Sequence, residues 1–254
     1  MGNRTRLFIK PFFYILFSMF IIWIVLFEFL LPENNFLPKP WIVLISIPDL
    51  FEDYNFLAHF LTTVSAIYLP GIISYLLAHL IREHILKESG ILKSFIGFIS
   101  KISIFIPAFL AAVLTIYWFP HSFSAEYIFS FLVSFLWWMI VIESAGKIRN
   151  ENYLVAFKSL GADEAFLNKN LVWNEIKPEV FKKLFSFHNH FWALILVYEF
   201  MSEGYGLGTI IKRTLVYHDF SALILILAII VIMIFAGYYF LKYLEDKFIF
   251  WEAE

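Results

Sequence analysis

The sequence predicts an all-α membrane protein with six transmembrane helices. Three observations carry that expectation: the composition, the length of the apolar runs and the placement of the basic residues. Of 254 residues, 61% are apolar, 21% aromatic and 16% charged, with a mean hydropathy of +0.77. A soluble domain is about 45–50% apolar and about 25% charged. A water-soluble fold of this size would therefore leave too much apolar surface in water, and the solvent must be lipid. That excludes a cytoplasmic enzyme, a disordered chain and a small secreted scaffold. The absence of Cys excludes disulfides, thiolate zinc sites and a thiol nucleophile. A net charge of −2 gives no footprint for nucleic acid.

A helix needs about 20 apolar residues to cross roughly 30 Å of hydrocarbon. The first run is Pro11–Leu31, with Glu28 near its far end; it is longer than a cleavable signal and lacks a small-residue cleavage site, so it reads as a retained anchor. The second is Ala58–Ile81, broken by Pro70-Gly71. The third is Ile102–Phe119, with Pro107 inside. The fourth, Tyr127–Ala145, ends at Glu143, which either snorkels to the interface or pairs with Lys147 one turn on. The fifth, Leu184–Met201, is the least apolar and carries His188, Asn189, His190 and Glu199. The sixth, Ala222–Leu241, has no charge.

With the N-terminus in the cytoplasm, the inside segments 1–10, 82–101, 146–183 and 242–254 hold 16 of the 19 Lys and Arg. Only Lys39, Lys212 and Arg213 fall outside. This asymmetry follows the positive-inside rule and favours an even span count, with both termini cytoplasmic. The chain divides on this reading into an anchor span with its outer loop, 1–57, and a five-span core, 58–254.

Two connections are longer than turns require. The outer loop Pro32–Leu57 combines a Pro-spaced extended stretch with a short amphipathic helix from Trp41 and the acids Asp49, Glu52 and Asp53. It reads equally as a surface cap or as a place for a partner. The inner loop Gly146–Lys183 contains an amphipathic stretch, Asn152–Lys169, with Tyr153, Ala156, Phe157, Leu160 and Leu167 on one face and Lys158, Ser159, Asp163, Glu164, Asn168 and Lys169 on the other. Gly161 marks a helix end or bend within it. Such a helix lies on a bilayer or fills a groove on another protein. The acids among its polar residues favour the protein.

Glu199 lies near the outer end of the fifth span. A carboxyl inside a membrane is costly and faces a partner or water. It reads either as a pathway or gate residue, with Glu203 extending an acidic strip, or as an acid among the outer headgroups. His188 and His190 are two apart, so on a helix they point about 200° apart and do not share a metal. A satisfied polar cluster against a neighbouring helix or the pathway is the better reading. Gly204–Gly208 reads as a flexible outer turn without the strand–helix context of a dinucleotide site. Neither cofactor nor metal is expected.

The inner loop resembles the cytoplasmic signature of permease subunits of ATP-binding-cassette importers: Glu-Ala-Ala, three residues, Gly, then nine residues to Ile-x-Leu-Pro. Ala156 and Gly161 match; Val155 stands for the Glu, Phe157 for the last Ala, and Trp173-Asn174 for Leu-Pro, with Leu171 at the Ile position. Other segments resemble the nitrate/sulfonate/taurine-type branch. These are Leu37-Pro38-Lys39-Pro40-Trp41-Ile42-Val43-Leu44, Pro107 followed by Trp118-Phe119, Pro178, and Trp192, Glu199 and Gly206-Leu207-Gly208 at that branch's spacings. Lys242–Trp251 resembles its charged tail. The order agrees from Leu37 to Trp251.

The resemblance implies a type I importer permease fold with a cytoplasmic coupling helix, in the cell (inner) membrane. It implies three kinds of partner besides lipid: a cytoplasmic ATPase dimer, a second permease copy or paralogue, and an extracytoplasmic solute-binding protein that delivers the solute. No Gly-x-x-x-x-Gly-Lys-Ser/Thr occurs, so the ATPase is another chain. ATPase coupling falls by resemblance on Ala156, Phe157, Lys158, Leu160, Gly161, Ala162 and Asp163, and a pathway or gate on Glu199, Trp192 and Asn189. The alternatives are a permease-fold scaffold that no longer transports, suggested by the missing coupling Glu, and an intramembrane enzyme, for which Glu143, His188 and His190 lack a recognised spacing.

Overall fold

The computed structural model describes residues 14, 17–30, 38–86, 90–105, 107–120, 122–147, 155–157, 159–161, 163, 167 and 172–249. Every regular element among them is a helix. In chain order, α1 is Phe17–Phe29, its last turns wound as a π-helix over Val25–Leu30. Next come α2 (Pro40–Ile45), α3 (Ile47–Glu52), α4 (Phe56–Leu80), α5 (Arg82–Leu86) and α6 (Ile91–Phe105). They are followed by α7 (Ala108–Trp118), α8 (Phe123–Gly146), α9 (Trp173–Ser202), α10 (Leu207–Val216) and α11 (Phe220–Phe248). Among the described residues, three helices are long and apolar enough to cross a membrane: Phe56–Leu80, Ser124–Gly146 and Phe220–Phe248. They correspond to the expected second, fourth and sixth spans.

Three expectations need correction. The second span is not broken at Pro70-Gly71: α4 runs through as 25 residues. Pro70 removes one backbone hydrogen bond, but it is buried, and Ser74 Oγ donates to the Gly71 carbonyl at 2.9 Å. The third span does break. Pro107 takes an extended ψ of 140° and caps α7, because its ring lacks an N–H and disfavours helix before it. At 1.5 Å per residue, the 11 residues of α7 reach only about 16 Å. The helix that holds the expected fifth span begins earlier than expected. α9 runs 30 residues from Trp173, so 173–183 of the expected inner loop is helix, with Pro178 tolerated in its second turn.

The described residues form two compact units, one from Met1–Leu57 with Ile210–Ile229, the other from Ala58–Thr209 with Ile230–Glu254. In the first, Pro residues open α2 and α3, where a missing N–H costs nothing. Ser46 between them donates its hydroxyl to the Val43 carbonyl at 2.9 Å. Val43 and Leu50 are buried, while Trp41, Ile45 and Phe51 are exposed. The Tyr54 hydroxyl donates to Asp219 Oδ2 at 3.0 Å, and Asp219 Oδ1 accepts from Ala222 N–H at 3.0 Å, capping α11. Burial, and then the Asp219 carboxylate, pushes the Tyr54 phenol above its ordinary range.

In the second unit α9 packs on α7 and α8, and α5 and α6 pack on α8. A core of Ile85, Ile96, Ile142, Leu167, Ile176 and Val180 joins the end of α8 to the start of α9. Gly146 lets α8 end close to Leu86, since a Cβ there would lie 2.6 Å from Leu86 Cδ2 and push that side chain's tip aside.

Candidate functional site

The polar centre of the second unit is Glu199, one of the largest fully buried side chains and 0% exposed. It stands in the last turn of α9. The chain leaves that helix through Glu203 in the left-handed region (φ 56°) and turns back at Gly206 (φ 123°), which favours glycine. α10 then starts directly over Glu199. Its first N–H groups have no partner within their own helix. Gly208 N–H donates to Glu199 Oε2 at 2.8 Å. Glu199 thus caps the following helix, where a negative charge is also favoured by the helix dipole.

α4 supplies the rest. Thr63 donates its hydroxyl to Glu199 Oε1 at 2.6 Å and accepts Leu207 N–H at 2.7 Å. One turn earlier, His59 Nδ1 accepts Gly206 N–H at 2.9 Å, and the Tyr205 ring lies 5.4 Å from the imidazole. Thr209 closes the turn by donating to the Glu199 carbonyl at 3.0 Å. The fit leaves no room at the glycines. A Cβ on Gly206 would sit 2.1 Å from the Glu199 carboxyl carbon, and one on Gly208 would sit 2.2 Å from the Leu196 carbonyl oxygen. The turn that reads as flexible is in fact clamped by its own buried acid. On α8, Glu126 is also buried, with its Oε1 without a hydrogen-bond partner among the described residues.

Two turns back along α9 lies a second polar node. Trp192, fully buried, donates its Nε1–H to His188 Nε2 at 3.1 Å, and the Tyr68 hydroxyl is 3.1 Å from the same nitrogen. α11 crosses this node at Gly237, where a Cβ would lie 2.4 Å from His188 Nε2 and 2.5 Å from Tyr68 Oη. Beside it is a cavity of about 440 Å³ with mostly aromatic and aliphatic walls, including Tyr75, Trp138, Phe181 and Phe191, and with Lys177 on its rim.

The structure brings together two of the three expected pathway residues only loosely. Glu199 and Trp192 are both buried on α9 but serve different nodes, and Asn189 is exposed. Glu203 is exposed and does not continue a strip from the buried Glu199. His188 is buried and His190 exposed, as their spacing requires. Glu143 is buried and pairs with Lys147 at 2.9 Å. Of the expected coupling residues, Ala156, Phe157, Leu160, Gly161 and Asp163 are exposed, with Gly161 at φ 86°; Lys158 and Ala162 lie outside the described residues.

Sequence reasoning missed His59, Thr63, Tyr68, Glu126 and Gly237. Each is a lone polar or small residue inside an apolar run, where packing rather than periodicity reveals its role. The signal available was Glu126, a charge within a spanning helix, but it reads as an acidic first turn.

Residues 71–249 match the family model described as binding-protein-dependent transport system inner membrane component. The chain belongs to this family. Comparison with curated proteins and with solved structures returns no match. As a member of this family the chain is a binding-protein-dependent transport permease. Membership carries with it the partners of an ATP-binding-cassette transporter, an ATPase and a binding protein. The matched stretch includes Glu126, the 155–163 segment and the Glu199 turn, while His59 and Thr63 precede it.

Proposed function

We propose that this permease forms one half of the membrane-spanning part of an ATP-driven importer. On this reading it has six spans, both termini in the cytoplasm and a type I permease fold, and it belongs to the nitrate/sulfonate/taurine-type branch. The family match over 71–249 is the observation that carries the reading. The 16-to-3 distribution of basic residues supports the orientation. A cytoplasmic ATPase dimer grips the segment from Ala156 to Asp163 in each of two permeases. A solute-binding protein docks on the opposite face.

The physical requirement is a lever that passes ATPase motion to the spans. The exposed Phe157, Leu160 and Asp163 give that segment the apolar and acidic groups a protein groove would hold, and Gly161 bends it. The solute pathway runs beside α9, where the cavity near His188 provides space, and the Glu199 turn holds the outer end of that helix in place.

The test is co-purification with the ATPase and binding protein, with ATP hydrolysis measured as solute is added. Ala156→Glu should abolish the complex or its stimulation while leaving the membrane fold intact. Unchanged pull-down and transport for both Ala156→Glu and Gly161→Trp would refute the coupling assignment. Val155 and Phe157, standing where the family signature has Glu and Ala, favour one second reading: a scaffold that binds the ATPase without moving solute. A stable complex indifferent to solute would establish it.

A further inference from the structure

We propose that the cavity between α4, α9 and α11 seats one anionic phospholipid, with an acyl chain in its apolar part and the phosphate at Lys177. The cavity, about 440 Å³, falls within the size range of sites that bury a ligand. Its shape and its charge point to a lipid of that kind.

The shape comes from α9. Starting at Lys177 on the rim, the α9 wall continues through Phe181, Leu184 and Phe187, all apolar, until His188. From Lys177 to Phe187 the helix rises about 15 Å at 1.5 Å per residue. That is one leaflet's half of a hydrocarbon core of roughly 30 Å. A groove of this length, with apolar walls and a cation at one end, fits a single tail. Beyond it His188 and Tyr68 turn the wall polar, and that end stays with the solute path. On α4, Gly71 keeps the groove open: a Cβ there would meet nothing within 4 Å. Ile72 beside it also lines the cavity and is exposed, so a chain can enter from the side.

The charge sits at the Lys177 end. Lys177 Nζ lies 5.8 Å from the centre of the Phe248 ring, which closes the α11 wall. One turn earlier on α9, the Trp173 ring carries the Arg82 guanidinium at 5.7 Å, and Arg82 Nη1 donates to the His79 carbonyl at 2.6 Å. Two cations therefore stand against adjacent turns of one helix, each held on an aromatic face. Acids at the same ends of α9 and α11 meet lysines of the protein: Glu179 meets Lys183 at 3.9 Å, and Lys242 meets Glu245 and, at 3.5 Å, Asp246. Basic groups set between helices in this way hold anionic headgroups. Free phosphate would leave the apolar groove unfilled, so the occupant is a lipid. That Lys177 faces the inner leaflet rests on the orientation proposed above.

The experiment places the full chain in phosphatidylcholine nanodiscs with a minor share of phosphatidylglycerol brominated at mid-chain, and reads quenching of Trp fluorescence. Trp138 lines the cavity, so the quenching that Trp138→Phe removes reports a chain inside it. Brominated phosphatidylglycerol should quench this component, and brominated phosphatidylcholine at the same share should quench it less. Lys177→Gln should weaken the effect about fivefold, the contribution of one basic group. Lys182→Gln, exposed on the same helix and not part of the cavity wall, should leave it unchanged. Gly71→Leu should fill the groove and abolish the effect with helical content intact. Five results would overturn the proposal: no Trp138 component, equal quenching by the two lipids, equal effects of Lys177→Gln and Lys182→Gln, quenching that persists in Gly71→Leu, or displacement by inorganic phosphate. Both leaflets of the nanodisc carry the same lipid, so binding does not depend on orientation. Orientation is read separately in cells, from labelling of Lys247→Cys in this otherwise Cys-free chain.

Discussion

Thr63 offers the sharpest test of the Glu199 site, because one hydroxyl serves two partners. It donates to Glu199 Oε1 at 2.6 Å and accepts Leu207 N–H at 2.7 Å. Thr63→Val keeps the branched shape and removes only the hydroxyl. Both bonds are lost together, and a buried backbone N–H is left without an acceptor. Interhelical hydrogen bonds in membranes average about 0.6 kcal/mol and reach about 1.7, because the unfolded chain also finds partners in lipid. Two such bonds set a range of about 1–3 kcal/mol. The fully buried site and the stranded N–H place the expected loss in the upper half of that range. Thr63→Ser keeps the hydroxyl and gives up one methyl, for about 1 kcal/mol of packing. The assay is reversible unfolding in mixed micelles, followed by Trp fluorescence. A double-mutant cycle with Glu199→Ala isolates the shared bond. Equal stability of Thr63→Val and Thr63→Ser, or additive effects with Glu199→Ala, would refute the account of Thr63 as the bridge between α4 and the turn.

Two further outcomes follow from the same geometry. Gly208→Ala should destabilise the protein by about 1–3 kcal/mol and expose the turn to proteolysis, because the new Cβ would meet the Leu196 carbonyl oxygen at 2.2 Å, a backbone atom that cannot move aside; limited digestion with the melting curve checks it. In an alkaline titration followed by phenolate absorbance, Tyr54 should ionise later than exposed tyrosines, and Asp219→Asn should bring it earlier; stability due to this pair should be constant up to the ordinary Tyr range and be lost above it.

The sequence by itself determined the solvent, the helical class and most helix positions. Those properties depend on sums over many residues, and a run such as Phe220–Phe248 has no lower-energy state in lipid than a helix that satisfies its own backbone. Motif spacing also led to the family, because Pro107, Trp192, Glu199 and the Gly206–Gly208 turn are fixed by chain order alone. Breaks were less legible. Pro70 and Pro107 look alike in sequence, but Pro70 is buried inside a continuous helix, and Pro107 is exposed and caps the start of α7.

The candidate site was decided by tertiary structure. Glu199 read equally well as a gate or as an interfacial acid, and its place in the structure depends on Thr63, 136 positions away in sequence, and on the Gly208 N–H of the next helix. No periodicity encodes which face of α4 meets which face of α9. The glycines at 206, 208 and 237 gain their meaning only from the side chains and backbone that crowd them. Pattern specifies what each segment is, while the proximity of distant segments specifies what a buried polar group does.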